Sequence, residues 1–250
     1  MRITESIYLV GSLQLGISGQ WDSHVYLVVG PDGLVMIDAG GGTDTGKIFE
    51  NIRKEGFDPD DIKALLLTHV HFDHACGAAE VKKMTGCEVY ISERSKKLLE
   101  SGTAEEAGLD RAKQKGIYPD WFRFQNCKVD HGVNDGDVVA AAGLRFTAIS
   151  VEGHSSDSIC YLSEIDGKLN LFAGDVVFYG GIIGLIDTPD STMEGYRRDL
   201  AKLKGLDIDG FFPGHYLFTV SRGQRHIDAA IASCENEAIP QTVGQIGTVF

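Results

Sequence analysis

The sequence predicts an α/β protein built from two sheets, each followed by helices, with the two βα halves packed face to face. Three observations carry that expectation. Short apolar strands alternate with helix-like segments through the first half. From residue 129 a second run of short strands follows, separated by turn signals. In both halves, residues able to bind a metal stand just past strand ends. The 250 residues, 43% of them hydrophobic, suffice for a large core. They are expected to form a single domain over residues 1–250.

In chain order, Ile7 to Val10 and the alternating Val25, Leu27 and Val29 read as strands. Gly30-Pro31-Asp32-Gly33 is turn chemistry, and Leu34 to Ile37 returns as a hairpin partner. Asp38-Ala39-Gly40-Gly41-Gly42 closes that strand on flexible backbone. Thr43 to Glu55 then has helical spacing at Ile48, Phe49 and Ile52, and Gly56 stops it. Ala64 to Leu67 is a short apolar run, read as a buried strand. Ala78 to Thr85 reads as a helix ended by Gly86, Glu88 to Ser92 as a strand, and Glu93 to Glu100 as a helix. The second strand run is Val129–Asp130, Val138 to Ala140, Leu144 to Val151, Ser158 to Leu162 and Leu169 to Phe172. Its turns are Asn134-Asp135-Gly136 and Asp166-Gly167. Met193 to Lys204 and Gln224 to Ala238 read as helices, with a short strand at Gly210 to Phe212.

The densest chemistry is Thr68-His69-Val70-His71-Phe72-Asp73-His74, which follows the buried strand directly. His69 and His71 stand two apart on extended backbone and share a face, so they can grip one ion together. Asp73 and His74 come where the chain must turn, diverge from that pair and can reach a second ion. A solvated polar loop accounts for one or two such residues, but not for four in this order. His154, Asp175 and His215 each follow a strand end, and a glycine directly precedes the ligand, as in Gly153-His154, letting the backbone turn sharply. Singly each would be weak; with the first cluster they complete a set of seven.

Charge and cysteine usage narrow the function classes. A net charge of −13 repels nucleic-acid phosphates and anionic membrane surfaces. The five cysteines are odd in number and lack CxxC spacing, which points neither to a disulfide framework nor to a thiolate zinc site. The start Met1-Arg2-Ile3-Thr4-Glu5-Ser6 is unlike a secretory signal, and no apolar stretch reaches membrane-spanning length, so a cytoplasmic location is expected.

With these residues in place, the chain resembles the metallo-β-lactamase-fold superfamily of metal-dependent hydrolases over nearly its whole length. The HxHxDH signature is His69, His71, Asp73 and His74, and the later His, Asp and His match His154, Asp175 and His215. The resemblance implies an αβ/βα four-layer sandwich of two packed mixed sheets with helices outside. It also implies that His69, His71 and His154 bind one metal, that Asp73, His74 and His215 bind a second, and that Asp175 bridges them. Two divalent ions about 3.5–4 Å apart can share a water and lower its pKa towards about 7. Asp73 is then suited to orient that nucleophile or to carry its proton to the leaving group. Zinc is the first choice of metal, with iron or manganese also compatible with imidazole and carboxylate.

The implied reaction is hydrolysis of a small carboxylic ester, thioester or lactone. Glu152-Gly153-His154-Ser155-Ser156-Asp157-Ser158 is similar to quinolone-signal-response thioesterases. Lactonases of the superfamily have a Tyr three positions after the bridging Asp, where this chain has Phe178 followed by Tyr179. The glyoxalase II members have an additional helical domain, for which the 35 residues after His215 are expected to be too few. An iron-dependent persulfide dioxygenase, a phosphodiesterase and a β-lactamase are the alternatives. Asp38, ending a strand, is expected to support a ligating His. His24 is left out of the metal set, and Arg222 and Arg225 read as a solvated face. The aromatic stretch Thr103 to Lys128 looks like an insertion. It is expected either to fill a satellite core or to roof the cleft as a lid, with Trp121, Phe178 and Tyr179 touching substrate.

Overall fold

The computed structural model describes residues 1–235 and 240–243. The first sheet takes strands β1 (Ile7–Gly11), β2 (Val25–Gly30), β3 (Gly33–Ile37), β4 (Ile62–Leu66), β5 (Glu88–Ser92) and β6 (His131–Val133), which lie in chain order. β1 to β3 are antiparallel neighbours, and β3 to β6 run parallel. The second half contributes β7 (Val138–Ala141), β8 (Leu144–Ser150), β9 (Ile159–Ile165) and β10 (Lys168–Gly174), then a two-stranded ribbon of β11 (Val177–Phe178) and β12 (Ile182–Ile183), and finally β13 (Gly210–Pro213). Its five-stranded sheet has the order β13-β10-β9-β8-β7, antiparallel except where β13 joins β10.

The two-residue period of the strands sorts the core into layers. Ile7, Leu9, Tyr26, Val28, Val35 and Ile37 point one way and meet Phe146, Tyr161, Phe172 and Phe212 of the second sheet. Their sequence neighbours Tyr8, Val10, Leu27 and Met36 point the other way, onto Ile48, Phe49, Ile52, Val81 and Leu99. Those five belong to helices α1 (Thr45–Lys54), α3 (Ala78–Thr85) and α4 (Glu93–Ser101), with the single turn α2 (Phe72–Ala75) between the first two. A shorter helix, α5 (Leu109–Gln114), lies within 103–128. On the outer face of the second sheet, Leu171, Ala173 and Phe211 pack against Tyr196, Leu200, Ile227 and Ile231, which come from α6 (Met193–Asp199), the 3-10 turn Leu200–Leu203 and α7 (Gln224–Glu235). The result is a helix-sheet-sheet-helix sandwich with both sheets mixed, in agreement with the expected fold class.

Several boundaries differ from the sequence expectation. The strand expected at 129–130 begins at His131, because Asp130 Oδ2 accepts from Val89 N at 2.8 Å and pairs with Lys82, holding the chain off the ladder until Tyr90 meets His131. The helix from Met193 tightens into a 3-10 turn at Leu200–Leu203, where the two buried leucines stand three apart, as that geometry requires. Residues 236–238, expected to finish the last helix, lie outside the described residues. No helix among the described residues is long and apolar enough to cross a membrane.

Candidate metal centre

Strand ends from both sheets converge on one point between them. β4 delivers Thr68 to His74, β8 is followed by His154, β10 by Asp175 and β13 by His215. The glycine before two of these residues is a steric requirement. Gly174 has φ +49, and a Cβ there would stand 2.7 Å from Thr68 Oγ1, while a Cβ on Gly214 would strike the Asp175 carboxylate.

All seven residues expected to bind metal lie in this cluster. His154 Nε2 is 3.2 Å from His69 Nε2 and 2.9 Å from His71 Nδ1. His215 Nε2 is 3.0 Å from Asp73 Oδ2, and His74 Nε2 is 3.7 Å from the same oxygen. Asp175 stands between the two groups, with Oδ1 3.3 Å from His74 Nε2 and Oδ2 3.5 Å from His215 Nε2 and 3.7 Å from His154 Nε2. The donor atoms form three overlapping triads, each within 4.8 Å: His69-His71-His154, His69-His74-Asp175 and Asp73-His74-His215.

The outer nitrogens of His69, His74 and His154 are already engaged, which fixes the inward tautomer of these three. His74 Nδ1 donates to Asp38 Oδ2 at 2.8 Å, and His154 Nδ1 donates to the Gly184 carbonyl at 2.6 Å. Thr68 Oγ1 donates to Asp38 at 2.9 Å and is therefore free to accept from His69 Nδ1 at 3.0 Å. Asp38 holds this arrangement in the left-handed region, at φ 60, and also accepts from Thr68 N at 2.8 Å. Asp157 Oδ2 accepts from Val70 N at 2.9 Å, pinning the link between His69 and His71.

A cation fits this donor set. His154 Nε2 stands 3.2 Å from His69 Nε2 and 2.9 Å from His71 Nδ1, and where two such nitrogens both present lone pairs a cation between them relieves the repulsion. Buried His74 Nε2 and Asp175 Oδ1 complete no hydrogen bond among the described residues. Electrostatics divides the cluster. Burial, reinforced by neighbouring imidazoles, drives His69 well below its ordinary pKa and His154 down to about 4. Burial opposes charge on His74 and His215 as well, yet Asp175 and Asp73 outweigh it and raise both. Burial alone would raise the two carboxyls, but His74 and His215 reverse that, holding Asp175 well below the carboxylate range and Asp73 at about 2.

A cleft of about 730 Å³ opens over the cluster, lined by His71, Asp73, His154, Asp175 and His215 at its floor. Its walls include Trp21, Phe72, Tyr118 and Phe178. Segment 103–128 supplies one side: Leu109 and Phe122 are buried with Phe72, and Tyr118 is packed against that group. The segment thus both fills a satellite core and borders the cleft. Of the expected substrate contacts, Phe178 lies on the wall. Trp121 does not: it is 59% exposed, because Phe122 takes the inward position beside it. Tyr179 also lies outside the lining, held by Arg225 Nη2 at 3.1 Å and by the His226 ring. Arg225 is therefore partnered, and His24, buried and 2.8 Å from the Tyr216 carbonyl, borders His215 without joining a triad.

Sequence reasoning missed Thr68, Asp157, Tyr118 and the Gly184 carbonyl. Thr68 and Asp157 had a signal, since both stand inside motif runs, whereas a backbone carbonyl leaves none. Tyr118 was one of four aromatics in its segment, and nothing in the spacing singled it out. Its hydroxyl lies 3.3 Å from Asp73 Oδ1.

The family model for the metallo-beta-lactamase superfamily matches residues 18–215. A hydroxyacylglutathione hydrolase of Marinomonas sp. is 28% identical over 160 residues, which is 64% of this chain and 49% of the relative, so the chain spans about half the length of that protein. The human acyl-coenzyme A thioesterase MBLAC2 is 28% identical over 78% of this chain and 73% of its own length. Among solved structures, BJP-1, a subclass B3 metallo-beta-lactamase of Bradyrhizobium japonicum, superimposes with a TM-score of 0.71 at 26% identity, covering 94% of this chain and 90% of that one.

Proposed function

The chain belongs to the metallo-beta-lactamase superfamily, and from that premise we propose that it is a dinuclear metal-dependent hydrolase of a carboxylic ester, thioester or lactone, with an acyl thioester as first choice. The observation that carries this is Asp175, whose two oxygens face imidazoles of both triads. His69 Nε2, His71 Nδ1 and His154 Nε2 would hold one divalent ion, and Asp73, His74 and His215 a second, with Asp175 shared between them. Asp38 and Thr68 orient the imidazoles. Zinc is the proposed metal. When bound, such a pair supplies hydroxide at neutral pH and polarises a carbonyl.

The chain's own residues do the rest. The apolar walls of the cleft exclude water and receive the acyl group, while the polar floor meets the carbonyl. Asp73 faces the cleft with one oxygen and the histidines with the other, so it can take the nucleophile's proton and pass it to the leaving group. The relatives named as a glutathione thioester hydrolase and an acyl-coenzyme A thioesterase support a thioester. The size of the cleft supports a small-molecule substrate, and the net charge of −13 speaks against nucleic-acid or anionic-membrane partners.

The test is metal analysis of untagged protein together with a panel of thioesters, lactones, aryl esters, phosphodiesters and β-lactams. Close to two ions per chain and preferred thioester cleavage are expected, and Asp175→Ala should lose one ion and most activity while remaining folded. A single ion with sulfur-dependent oxygen uptake would make the protein dioxygenase-like. Turnover of phosphodiesters alone, or of β-lactams alone, would reassign the substrate.

A further inference from the structure

The Asp73 carboxylate has two oxygens in different surroundings. Oδ2 looks inward, 3.0 Å from His215 Nε2 and 3.7 Å from His74 Nε2. Oδ1 looks into the cleft, where the Tyr118 hydroxyl stands 3.3 Å away. A carboxylate on one freely turning bond can exchange these oxygens or tilt between them unless something holds its outer edge. Tyr118 is placed to do so, and its ring does not depend on the hydroxyl for its position. Phe122 packs on it with centroids 4.5 Å apart, Trp21 at 5.1 Å, and Phe72 meets it edge-on at 5.3 Å. Asp73 is the hydroxyl's one hydrogen-bond partner among the described residues. At 3.3 Å the contact is longer than a strong O–H···O bond, so its effect is one of orientation.

We propose that Tyr118 is a positioning residue for the reaction of the preceding section: its hydroxyl holds Asp73 with Oδ2 turned to the second cation site and Oδ1 turned to the leaving group. The role in turnover rests on the proposed hydrolase reaction; the role in cation binding rests only on the Asp73-His74-His215 cluster. Because the phenol comes from segment 103–128, it ties the wall of the cleft to its floor. With the hydroxyl gone, Asp73 can tilt, weakening its grip on the second cation. The proton it carries to the leaving group is then delivered from a poorer position. Proton delivery matters most when the departing group is strongly basic, as an alkoxide is, and least for a nitrophenolate.

Tyr118→Phe tests this, since it keeps the three ring contacts and removes only the oxygen. Tyr216→Phe, a second phenol on the cleft wall, is the comparison. In cobalt titrations of the metal-free protein, Tyr118→Phe should weaken the second binding step severalfold, leaving the first step and the melting temperature unchanged. In turnover, kcat should fall about tenfold on alkyl esters and by less than about twofold on nitrophenyl esters, with KM nearly constant. Unchanged cobalt binding would overturn the proposal, and that result can be read even if wild-type protein hydrolyses nothing on the panel. An equal loss on all esters with a lowered melting temperature would overturn it in favour of packing. A larger effect from Tyr216→Phe would overturn it in favour of the other phenol.

Discussion

His154 and His74 are both buried imidazoles a few ångströms from Asp175, yet their proton affinities are pushed in opposite directions. Burial lowers His154 to about 4, and with His69 also depressed this triad is neutral at pH 7 and ready to donate lone pairs. His74 and His215 are raised by Asp175 and Asp73, so in the metal-free protein each gives up its proton less readily than an ordinary imidazole. Ligation requires the deprotonated ring, so the second ion must displace protons that the first need not. The sign follows: as pH falls from 7 to 5, affinity at the His74-His215 site should drop steeply. Affinity at the His69-His71-His154 site should fall less over the same range, because burial lowers all three of its imidazoles. Zinc calorimetry in buffers of different ionisation enthalpy should show more protons released in the second step. Equal release in both steps would contradict this division.

At the scale of the element, segment 103–128 separates two neighbouring aromatics. Phe122 is 1% exposed beneath Trp21, Phe72 and Tyr118, whereas Trp121 projects outward. Truncating a buried phenylalanine removes its transfer energy and leaves a cavity, so Phe122→Ala should cost about 3–5 kcal/mol. Trp121→Ala should change stability by about 0.5 kcal/mol or less, in the range of unpaired surface positions. It should also leave the ranking of substrates by acyl length unaltered. Denaturant unfolding with a short acyl series checks both. A shifted acyl ranking in Trp121→Ala would return that residue to the cleft, where the sequence had suggested it.

At the scale of the whole molecule, the candidate ligands come from loops after both sheets, so a cation held by all of them ties the two halves of the sandwich together. Ligands that bind only the folded state stabilise it by about 4 kcal/mol at a thousandfold excess over Kd. For a chain of this size each kcal/mol is worth about 2–4 °C. Chelation should therefore lower the melting temperature by roughly 8–16 °C, and the halves should melt in one calorimetric transition. Two transitions, or no response to chelation, would show that the halves are held together by the apolar interface alone.

The layers and the first candidate ligands, His69 to His74, were legible in the sequence because both are local. Unbroken apolar runs at Ile7 to Val10 and Val25 to Val29 mark strands buried on both faces, and His69-Val70-His71 places two imidazoles on one side of an extended chain wherever that chain lies. The convergence of His154, Asp175 and His215 could be inferred only by matching a motif, since residues more than 80 positions apart meet through sheet pairing, which leaves no local trace. Tertiary structure alone decided the tautomers, through Asp38, Thr68 and the Gly184 carbonyl. It also set the opposed protonation of His154 and His74, because desolvation and charge depend on what surrounds a residue in space. Which aromatic of segment 103–128 faces the cleft was settled the same way. Tyr118, Trp121 and Phe122 offer similar apolar surface, and only the packing against Phe72 and Trp21 turns Tyr118 inward to Asp73 and leaves Trp121 outside.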